Sequence, residues 1–326
     1  MALRHTLVTG ANGFIGKSLC HRLVELGKEV TACVRDRADV SVFAEMPGSL
    51  NICRVPSLDA VGQLASVFSR VDAVIHLAGR AHIMHETADD PLEAYRAVNV
   101  GTTESLASIA AQTGVKRFIY VSSIKVNGES TNGTPFHSDD PPGYSDPYGK
   151  SKWEAEERLR EIAEAAHMEW VIVRPPLVYG PGVQGNFLAL LWSVFRRAPL
   201  PFGSVHNTRS LISDFNLSDF LTLLVDHPLA ANNRFLVSDR NDISTPDLIR
   251  HVAVALHRPH RVVPCPEAVL RLAGTILKRR TAIDRLCSSL VVDRHKTKDL
   301  LGWNAPATLD WGLDRTAAWF LKMVHK

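Results

Sequence analysis

The stretch TGANGFIG, at residues 9–16, decides the fold of this 326-residue chain. An apolar run at residues 5–9 precedes it, and an amphipathic pattern at residues 14–26 follows it and ends before Gly27. The apolar members of this pattern recur at the spacing of one helix face. They are Ile15, Leu19, Leu23 and Leu26. A second β-rich run covers residues 29–34, so we expect a strand, a glycine-rich turn, a helix and another strand.

The glycines of this turn suit the binding of an anion. Glycine permits a tight strand-to-helix turn and lets the backbone approach a ligand closely. The beginning of the following helix offers N–H groups that have no partner within the helix. A glycine triplet alone also fits a plain turn, but the flanking strands and helix favour a site for the pyrophosphate of a dinucleotide.

Further β-rich runs alternate with helical patterns, at residues 73–77, 117–122 and 170–173. This alternation predicts an α/β protein of the Rossmann type, a doubly wound parallel sheet with helices on both faces. After Arg174, prolines interrupt the pattern. We therefore expect a dinucleotide-binding domain at residues 1–175 and a smaller, mainly substrate-binding region at residues 176–326, some segments of which return to the sheet. A last helical stripe near the C-terminus consists of Leu309, Leu313, Ala317 and Phe320.

Composition argues against several classes of protein. The 37 Lys+Arg and 34 Asp+Glu residues leave a formal charge of +3, too small to indicate a nucleic-acid or membrane surface. Five cysteines form no CxxC pair, and the 14 histidines include no HExxH motif, so we expect a reducing compartment and no metal site. No signal-peptide pattern and no apolar run of roughly 18 residues is present. We expect a cytoplasmic protein that does not insert into a membrane.

The GxxGxxG spacing of the turn resembles that of the extended branch of the short-chain dehydrogenase/reductase family. The segment DAVIHLAG at residues 72–79 is similar to the family's fourth strand, and NVGT at residues 99–102 is similar to its helix-start motif. The resemblance implies that His76 borders the cofactor with its backbone more than with its ring. It implies cofactor contacts by Gly10, Asn12, Gly13, Phe14, Ile15, Gly16, Leu77, Ala78, Gly79 and Asn99.

The end of the second strand bears on the choice between NAD and NADP. An acid there suits a free ribose 2′-hydroxyl, and a basic group suits a 2′-phosphate. Alignment with the family places Val34 where NAD-preferring members carry the acid and Arg35 one residue later, as in NADP-using reductases. We expect NADP to be preferred over NAD, although Asp36 could still reach the ribose. Asp59 is a weak candidate for an adenine contact.

The pattern YGKSK at residues 148–152 opens a predicted helix, so Tyr148 and Lys152 project from one face. A free tyrosine titrates near pH 10, and a neighbouring cation would favour its phenolate. By resemblance, Lys152 is that cation and also binds the ribose of the nicotinamide, so both residues are expected at the cofactor as well as in catalysis. The family register with residues 126–128 selects Ser123, rather than Ser122, as the residue that hydrogen-bonds the substrate oxygen.

The segment RPPLVYGPG at residues 174–182 is similar to the RPxxVYGPG motif of family members that act on nucleotide sugars. By that resemblance, Asn186 contacts the sugar nucleotide and Arg209 pairs with its diphosphate, a task that suits a planar guanidinium. Sugar dehydratases carry an acidic pair where this chain has Ile124 and Lys125. Dehydration is therefore disfavoured, and Lys125 becomes a candidate substrate contact.

Two reactions remain, 4-epimerisation of a UDP-sugar and net reduction of a 4-keto sugar, and Arg35 favours reduction. Residues 121–128, 289–293 and 301–303 resemble bacterial reductases of UDP-4-keto-6-deoxy-N-acetylhexosamine, which serve O-antigen synthesis. The family often pairs two subunits through a four-helix interface, so a homodimer is possible. A reductase of a small carbonyl and a non-catalytic NADP sensor or scaffold are further alternatives; the presence of Tyr148 and Lys152 argues against the sensor.

Overall fold

The computed structural model describes residues 5–44, 46, 50–56, 64–81, 89–277 and 280–325. Its centre is a seven-stranded parallel sheet with the strand order β3-β2-β1-β4-β5-β6-β9. The strands of this sheet are β1 His5–Thr9, β2 Glu29–Arg35, β3 Leu50–Val55, β4 Ala73–His76, β5 Arg117–Val121, β6 Glu169–Arg174 and β9 Asn233–Leu236. A separate parallel pair is formed by β7 Leu177–Tyr179 and β8 Leu211–Ser213. The predicted Rossmann-type α/β fold is confirmed.

Eleven α-helices lie within the described ranges. They are α1 Phe14–Glu25, α2 Ala65–Phe68, α3 Pro91–Thr113, α4 Pro147–Ala165, α5 Gly185–Phe195, α6 Asp214–Asp226, α7 Thr245–Ala255, α8 Glu267–Ile276, α9 Arg280–Cys287, α10 His295–Leu301 and α11 Leu309–Val324. Short 3-10 helices lie at Ser41–Phe43, Ile124–Val126 and Pro228–Ala230. In this part of the chain, no helix combines the length and the apolar character needed to cross a bilayer.

Two hydrophobic cores cover the two faces of the sheet. Helices α1 and α6 pack on one face through side chains such as Leu23 and Phe220. Helices α3 and α4 pack on the other through side chains such as Leu106 and Leu159. Because both faces are covered, β1, β4 and β5 are buried along their whole length.

The second region has a core of its own, built from α5, α7, α11 and the loops between them. The predicted C-terminal stripe lies in this core, where Leu313, Ala317 and Phe320 are buried. Strand β9 and helix α6, however, belong to the central sheet and its cover. The chain after β6 therefore contributes elements both to the central sheet and to the second region. The loops that follow β5 and β6 lie at the carboxyl edge of the sheet.

Candidate active site

The glycine-rich turn is as tight as its sequence suggests. Gly10 has a φ of +66°, and the N–H of Gly13 donates to the carbonyl of Gly10 at 2.9 Å. A Cβ on Gly16 would lie 2.2 Å from the Gly10 carbonyl oxygen, so only glycine fits where α1 crosses the turn. Gly13 caps α1 without a side-chain hydrogen bond, and the first turn of the helix holds no acid. The N–H groups beginning at Phe14 and Ile15 thus suit a pyrophosphate, with Asn12 in the turn beside them.

The loop after β4 is held against this turn by a buried polar chain. The hydroxyl of Thr9 lies 2.6 Å from Nδ1 of His76 and accepts the N–H of Ala78 at 3.3 Å. Burial lowers the pKa of His76 to about 3, so its ring is neutral. Leu77, Ala78 and Gly79 follow at the carboxyl edge of the sheet, beside Gly10. A Cβ on Gly10 would approach the Ala78 backbone nitrogen to 2.9 Å, so the two segments are packed directly together.

Asn99 reaches the same loop from α3. Its Oδ1 accepts the N–H of Arg80 at 2.8 Å, and its Nδ2 donates to the hydroxyl of Ser151 at 3.0 Å. The side chain thus ties the loop after Gly79 to helix α4. A direct contact of Asn99 with a cofactor stays a prediction, whereas its positioning of this loop is visible.

Arg35 lies at the exposed carboxyl end of β2, next to the turn that follows β1. Asp36 follows it, and its N–H donates to the Val55 carbonyl at 2.9 Å. Val34, where NAD-preferring relatives carry an acid, is buried. A contact of Arg35 with a phosphate on the adenosine ribose stays a prediction. Asp59, the weak adenine candidate, lies outside the described residues.

The structure brings Ser123 and Tyr148 together. Ser123 follows β5, its hydroxyl accepts the N–H of Lys125 at 3.3 Å, and it is hydrogen-bonded to the Tyr148 phenol. Tyr148 stands in the first turn of α4, which Asp146 caps by accepting the N–H of Gly149 at 2.7 Å. The Tyr95 ring packs edge-on against Tyr148, with centroids 5.7 Å apart. Ser122, in contrast, is buried, and its hydroxyl has no partner among the described residues.

The two serines give a matched test of this geometry. Ser123→Ala is expected to lower kcat by about a hundredfold, because it removes the hydroxyl that is hydrogen-bonded to Tyr148 and that the family resemblance predicts at the substrate oxygen. Ser122→Ala is expected to leave kcat within about twofold, since its hydroxyl is unpartnered. Steady-state kinetics of the two variants checks this, and an equal loss in both would contradict the assignment.

Lys152 lies one helical turn after Tyr148 and is almost fully buried. Its Nζ donates to the Val121 carbonyl at 2.8 Å and lies 4.2 Å from the ring centroid of Tyr120. Burial lowers the pKa of Lys152 to about 7, and Glu156, one turn further along α4, opposes that shift. The ammonium is thus anchored at the carboxyl end of β5, where its remaining donors can serve a ligand.

The sequence pattern predicts that a neighbouring cation favours the phenolate of Tyr148. In the chain without a bound cofactor, the pKa of Tyr148 is raised instead. Burial raises the pKa of Tyr148 to about 12, and Asp146 and Tyr95 raise it further, against the lowering effect of the Ser123 hydrogen bond. Nζ of Lys152 donates to the Val121 carbonyl, and burial disfavours the charge of this ammonium in the chain without a bound cofactor. At neutral pH, Tyr148 therefore holds its proton.

Burial of Lys152 has a consequence for stability. Because its pKa is about 7 in the folded chain and about 10.4 in the unfolded chain, the unfolded state binds more protons between these values. The free energy of unfolding should therefore rise as pH increases from about 7 towards 10. We expect Lys152→Met to raise the free energy of unfolding at pH 7 by about 2 kcal/mol and to weaken that pH dependence.

Urea unfolding of wild type and Lys152→Met at several pH values between 7 and 10 tests this effect. Lys150→Met, two residues earlier on the same helix and only partly buried, is the matched control and should change little. A variant that is less stable than wild type at pH 7 would rule out a burial cost at Lys152.

The predicted substrate residues fall in two places. Lys125 is paired with Glu129 and Asp146, and Glu129 also accepts from Nε of Arg285 at 3.2 Å. A cavity of about 300 Å³ lies here, lined in part by Asp146, Arg285 and Ser288. Arg209 is adjacent, because its Nη1 donates to the carbonyls of Arg285 and Ser288 at 2.6 and 2.9 Å.

Lys125, Arg209 and Arg285 therefore lie near the Glu129 carboxylate. Lys125 is also paired with Asp146, and burial lowers the pKa of Arg209. The sequence patterns did not predict Arg285 and Glu129, because neither residue belongs to a recognised motif. They become candidates only because residues 285–288 fold against Arg209.

Asn186 is not in this group. It lies exposed in the first turn of α5, and its contact with a substrate stays a prediction. Within the described ranges, no cluster of three or more His, Cys, Asp or Glu side chains is placed to hold a metal.

The chain belongs to the family described as the NAD dependent epimerase/dehydratase family, whose model matches residues 6–235. It is 41% identical over 323 residues to a UDP-glucose 4-epimerase of Vibrio cholerae, covering 97% of this chain and 95% of that protein. It is 27% identical over 327 residues to the N-acetyl-alpha-D-glucosaminyl-diphospho-ditrans,octacis-undecaprenol 4-epimerase of Escherichia coli O157:H7, covering 96% and 94%.

Solved structures share the fold. The UDP-glucose 4-epimerase of Thermotoga maritima with UDP-glucose superposes with a TM-score of 0.79 at 21% identity, covering 98% of this chain and 99% of that one. The UDP-glucuronic acid 4-epimerase of Bacillus cereus in complex with NAD gives a TM-score of 0.79 at 19% identity, covering 99% and 100%. At these identities the likeness shows the architecture alone.

Proposed function

We propose that this protein is an NAD(P)-dependent oxidoreductase that reduces the 4-keto group of a UDP-linked sugar, namely UDP-4-keto-6-deoxy-N-acetylhexosamine. The observation that carries the proposal is the hydrogen-bonded pair of Ser123 and Tyr148, with Lys152 one turn away, at the same sheet edge as the glycine-rich turn. Such an edge is where parallel sheets bind their ligands. Within the family, this group fits proton transfer to a sugar oxygen.

Ser123, Tyr148 and Lys152 have different roles in the proposed reduction. A bound nicotinamide supplies the hydride. Ser123 donates a hydrogen bond that orients the C4 oxygen, and Tyr148, which is protonated at neutral pH, delivers the one proton that completes the alcohol. Lys152, fixed by the Val121 carbonyl, holds the ribose hydroxyls and stabilises the phenolate left after proton transfer. Arg209, with Asn186 and Lys125, binds the sugar nucleotide in this proposal.

Epimerisation at C4 of a UDP-sugar is the second candidate. The Vibrio cholerae relative, a UDP-glucose 4-epimerase at 41% identity, supports it. Epimerisation begins with removal of a proton from the C4 hydroxyl, which requires Tyr148 to act as a base first. The exposed Arg35 at the ribose end of β2 favours reduction with NADPH instead. Dehydration is disfavoured because Lys125, paired with two acids, stands where dehydratases use an acid.

The deciding experiment offers purified protein UDP-4-keto-6-deoxy-N-acetylhexosamine with NADPH and follows the absorbance of the reduced nicotinamide. Oxidation of one NADPH for each sugar consumed is the expected result. A parallel sample contains UDP-glucose or UDP-N-acetylglucosamine without added cofactor. Appearance of the galactose epimer there, with no NADPH consumption in the first sample, would replace reduction by epimerisation.

Arg35 provides a test of cofactor preference. Arg35→Asp is expected to raise KM for NADPH by about tenfold or more, because a carboxylate would repel the 2′-phosphate that the guanidinium binds. KM for NADH should stay constant or fall. Arg37→Asp, two residues beyond at the same exposed tip, is the matched control. An unchanged ratio of the two KM values in Arg35→Asp would show that Arg35 does not contact the ribose.

A homodimer is part of the proposal. Helices α3 and α4 pack side by side, and a cavity of about 530 Å³ on their outer surface is lined by side chains including Val100 and Trp153. Pairing these two helices with their copies would bury this surface in a four-helix interface.

A cytoplasmic location also stays a proposal. It is supported by the five cysteines, all of which are free: Cys20, Cys33, Cys53, Cys265 and Cys287.

A further inference from the structure

Helix α8 carries apolar side chains on two opposite sides. Leu270 is buried, and Gly274 packs against Ile283 of α9, so one side faces the protein. The other side shows a row of exposed apolar residues at helical spacing, continued by the residue after the helix. This row, here named the α8 stripe, consists of Val269 at 53%, Leu272 at 63%, Ile276 at 73% and Leu277 at 67% exposure.

The stripe is a concentration of exposed apolar surface. Of 12 strongly exposed large hydrophobic side chains in the described part of the chain, four belong to it, and Val263 stands shortly before it. Single exposed apolar residues are normal on a protein surface, but a contiguous row marks an interaction site. The remaining members are distributed over other elements, as Leu26 and Leu229 illustrate.

Positive charge is concentrated around the stripe. Residues 257–280 contain six Lys+Arg residues and one acid, Glu267, a net charge of +5. Since the whole chain carries +3, the rest carries −2. Arg261 precedes α8, and its Nη1 donates to the carbonyl of Arg197 at 3.5 Å. Arg280 follows α8 and is 69% exposed, and its Nε lies 3.6 Å from Oδ2 of Asp284 on α9. The net charge of the whole chain is therefore small although basic residues precede and follow the apolar stripe. Arg261 and Arg280 are here named the arginine rim.

We propose that the α8 stripe and its arginine rim form a docking surface for an anionic lipid bilayer. A ten-residue helix is about 15 Å long, so α8 can lie flat in the interfacial region with its stripe directed into the acyl boundary. Arg261 and Arg280 then meet lipid phosphates at either end. Exposed aliphatic side chains together with a basic rim are the combination that peripheral membrane helices use.

Charge argues against the other occupants of such a surface. In a symmetric contact with a second copy, the rim of one subunit would face the same rim of its partner, and like charges in apposition are repelled. The exposed side chains of the stripe belong to one helix and the residue that follows it, an arrangement that suits a flat partner surface. A planar anionic surface would contact the apolar stripe, Arg261 and Arg280 at the same time.

Co-sedimentation of the full chain with vesicles tests the proposal. With phosphatidylcholine vesicles containing phosphatidylglycerol, the protein is expected in the pellet; with phosphatidylcholine alone, it should stay in the supernatant. Added salt should reduce pelleting, because it screens the rim. Leu272→Glu is expected to weaken partitioning by about tenfold or more, since it places a carboxylate at the lipid boundary.

Leu229→Glu is the matched control, because Leu229 is 53% exposed but lies in the segment before β9, outside the stripe. It should pellet as wild type does. Leu272→Gln, which introduces no charge, provides a second variant, and circular dichroism checks that each is folded. Failure of wild type to bind anionic vesicles overturns the proposal, as does equal binding by Leu272→Glu. A wild-type oligomer that dissociates in Leu272→Glu would identify a second copy as the occupant instead.

Discussion

Removal of one hydroxyl by Tyr148→Phe is expected to lower kcat by about a thousandfold, while the affinity for NADPH stays within about twofold. In the proposed reaction the phenol transfers a proton to the sugar oxygen, and it combines a hydrogen bond to Ser123 with a position one turn from Lys152. Phenylalanine retains the ring and its edge-on packing against Tyr95. The loss should therefore be chemical rather than structural.

Tyr144→Phe is the control for this experiment. Tyr144 precedes the same helix and packs on Trp153, with ring centroids 5.7 Å apart, so it loses an equivalent hydroxyl in the same part of the fold. Its kcat should stay near that of wild type. Stopped-flow measurement of single-turnover NADPH oxidation separates chemistry from product release. A Tyr148→Phe enzyme with wild-type single-turnover rate would refute the proposed proton donor.

The elements of the first half of the chain could be predicted because they depend on local patterns. The strand expected at residues 5–9 is observed as His5–Thr9, and the helix expected at residues 14–26 is observed as Phe14–Glu25. Apolar periodicity and glycine positions are local properties. Strand β3, in contrast, lies at the edge of the sheet and contains exposed residues such as Asn51 and Ile52. Its sequence is therefore not a continuous apolar run, and the apolar pattern does not predict it.

The site was predictable to the extent that its residues adjoin strand ends. Ser123 and Tyr148 come together because β5 and α4 fix their positions, and register with a family motif selected the serine that the structure places at the phenol. The protonation of Tyr148 and Lys152 was not predictable in this way. It depends on burial in the folded chain, where Lys152 contacts the Tyr120 ring and the Val121 carbonyl, which lie far from residue 152 in sequence.

The position of α4 also depends on a buried ion pair that the sequence does not reveal. Glu156, one turn after Lys152, is fully buried and accepts from Nε and Nη2 of Arg174 at 2.9 and 2.6 Å. Nη1 of Arg174 donates to Oδ1 of Asn127 at 2.9 Å. The pair therefore joins α4 to the end of β6 and to the loop that follows Ser123. Arg174 is the first residue of the segment that resembles a sugar-nucleotide motif, but its side chain is buried.

Breaking this pair should have a large effect on stability. Arg174→Met leaves the Glu156 carboxylate buried without its main partner, and the free energy of unfolding is expected to fall by about 3–5 kcal/mol. Arg234 compensates in part, since its Nε lies 3.7 Å from Glu156, so a value near the lower limit is expected. Arg158→Met, which removes exposed pairs with Glu104 of α3 and Glu161 of α4, should cost less than about 1 kcal/mol.

A double variant distinguishes the cost of a stranded charge from the loss of packing. In Arg174→Met/Glu156→Leu, both charges are replaced by apolar side chains, and a buried pair replaced in this way often costs little. Urea unfolding should show that the double variant is more stable than Arg174→Met alone. If it is equally unstable, the Asn127 contact and the packing of Arg174 hold α4, and the charge on Glu156 contributes little. Recovery of stability without recovery of kcat would mean that the pair positions Ser123 and Tyr148 in addition to stabilising the fold.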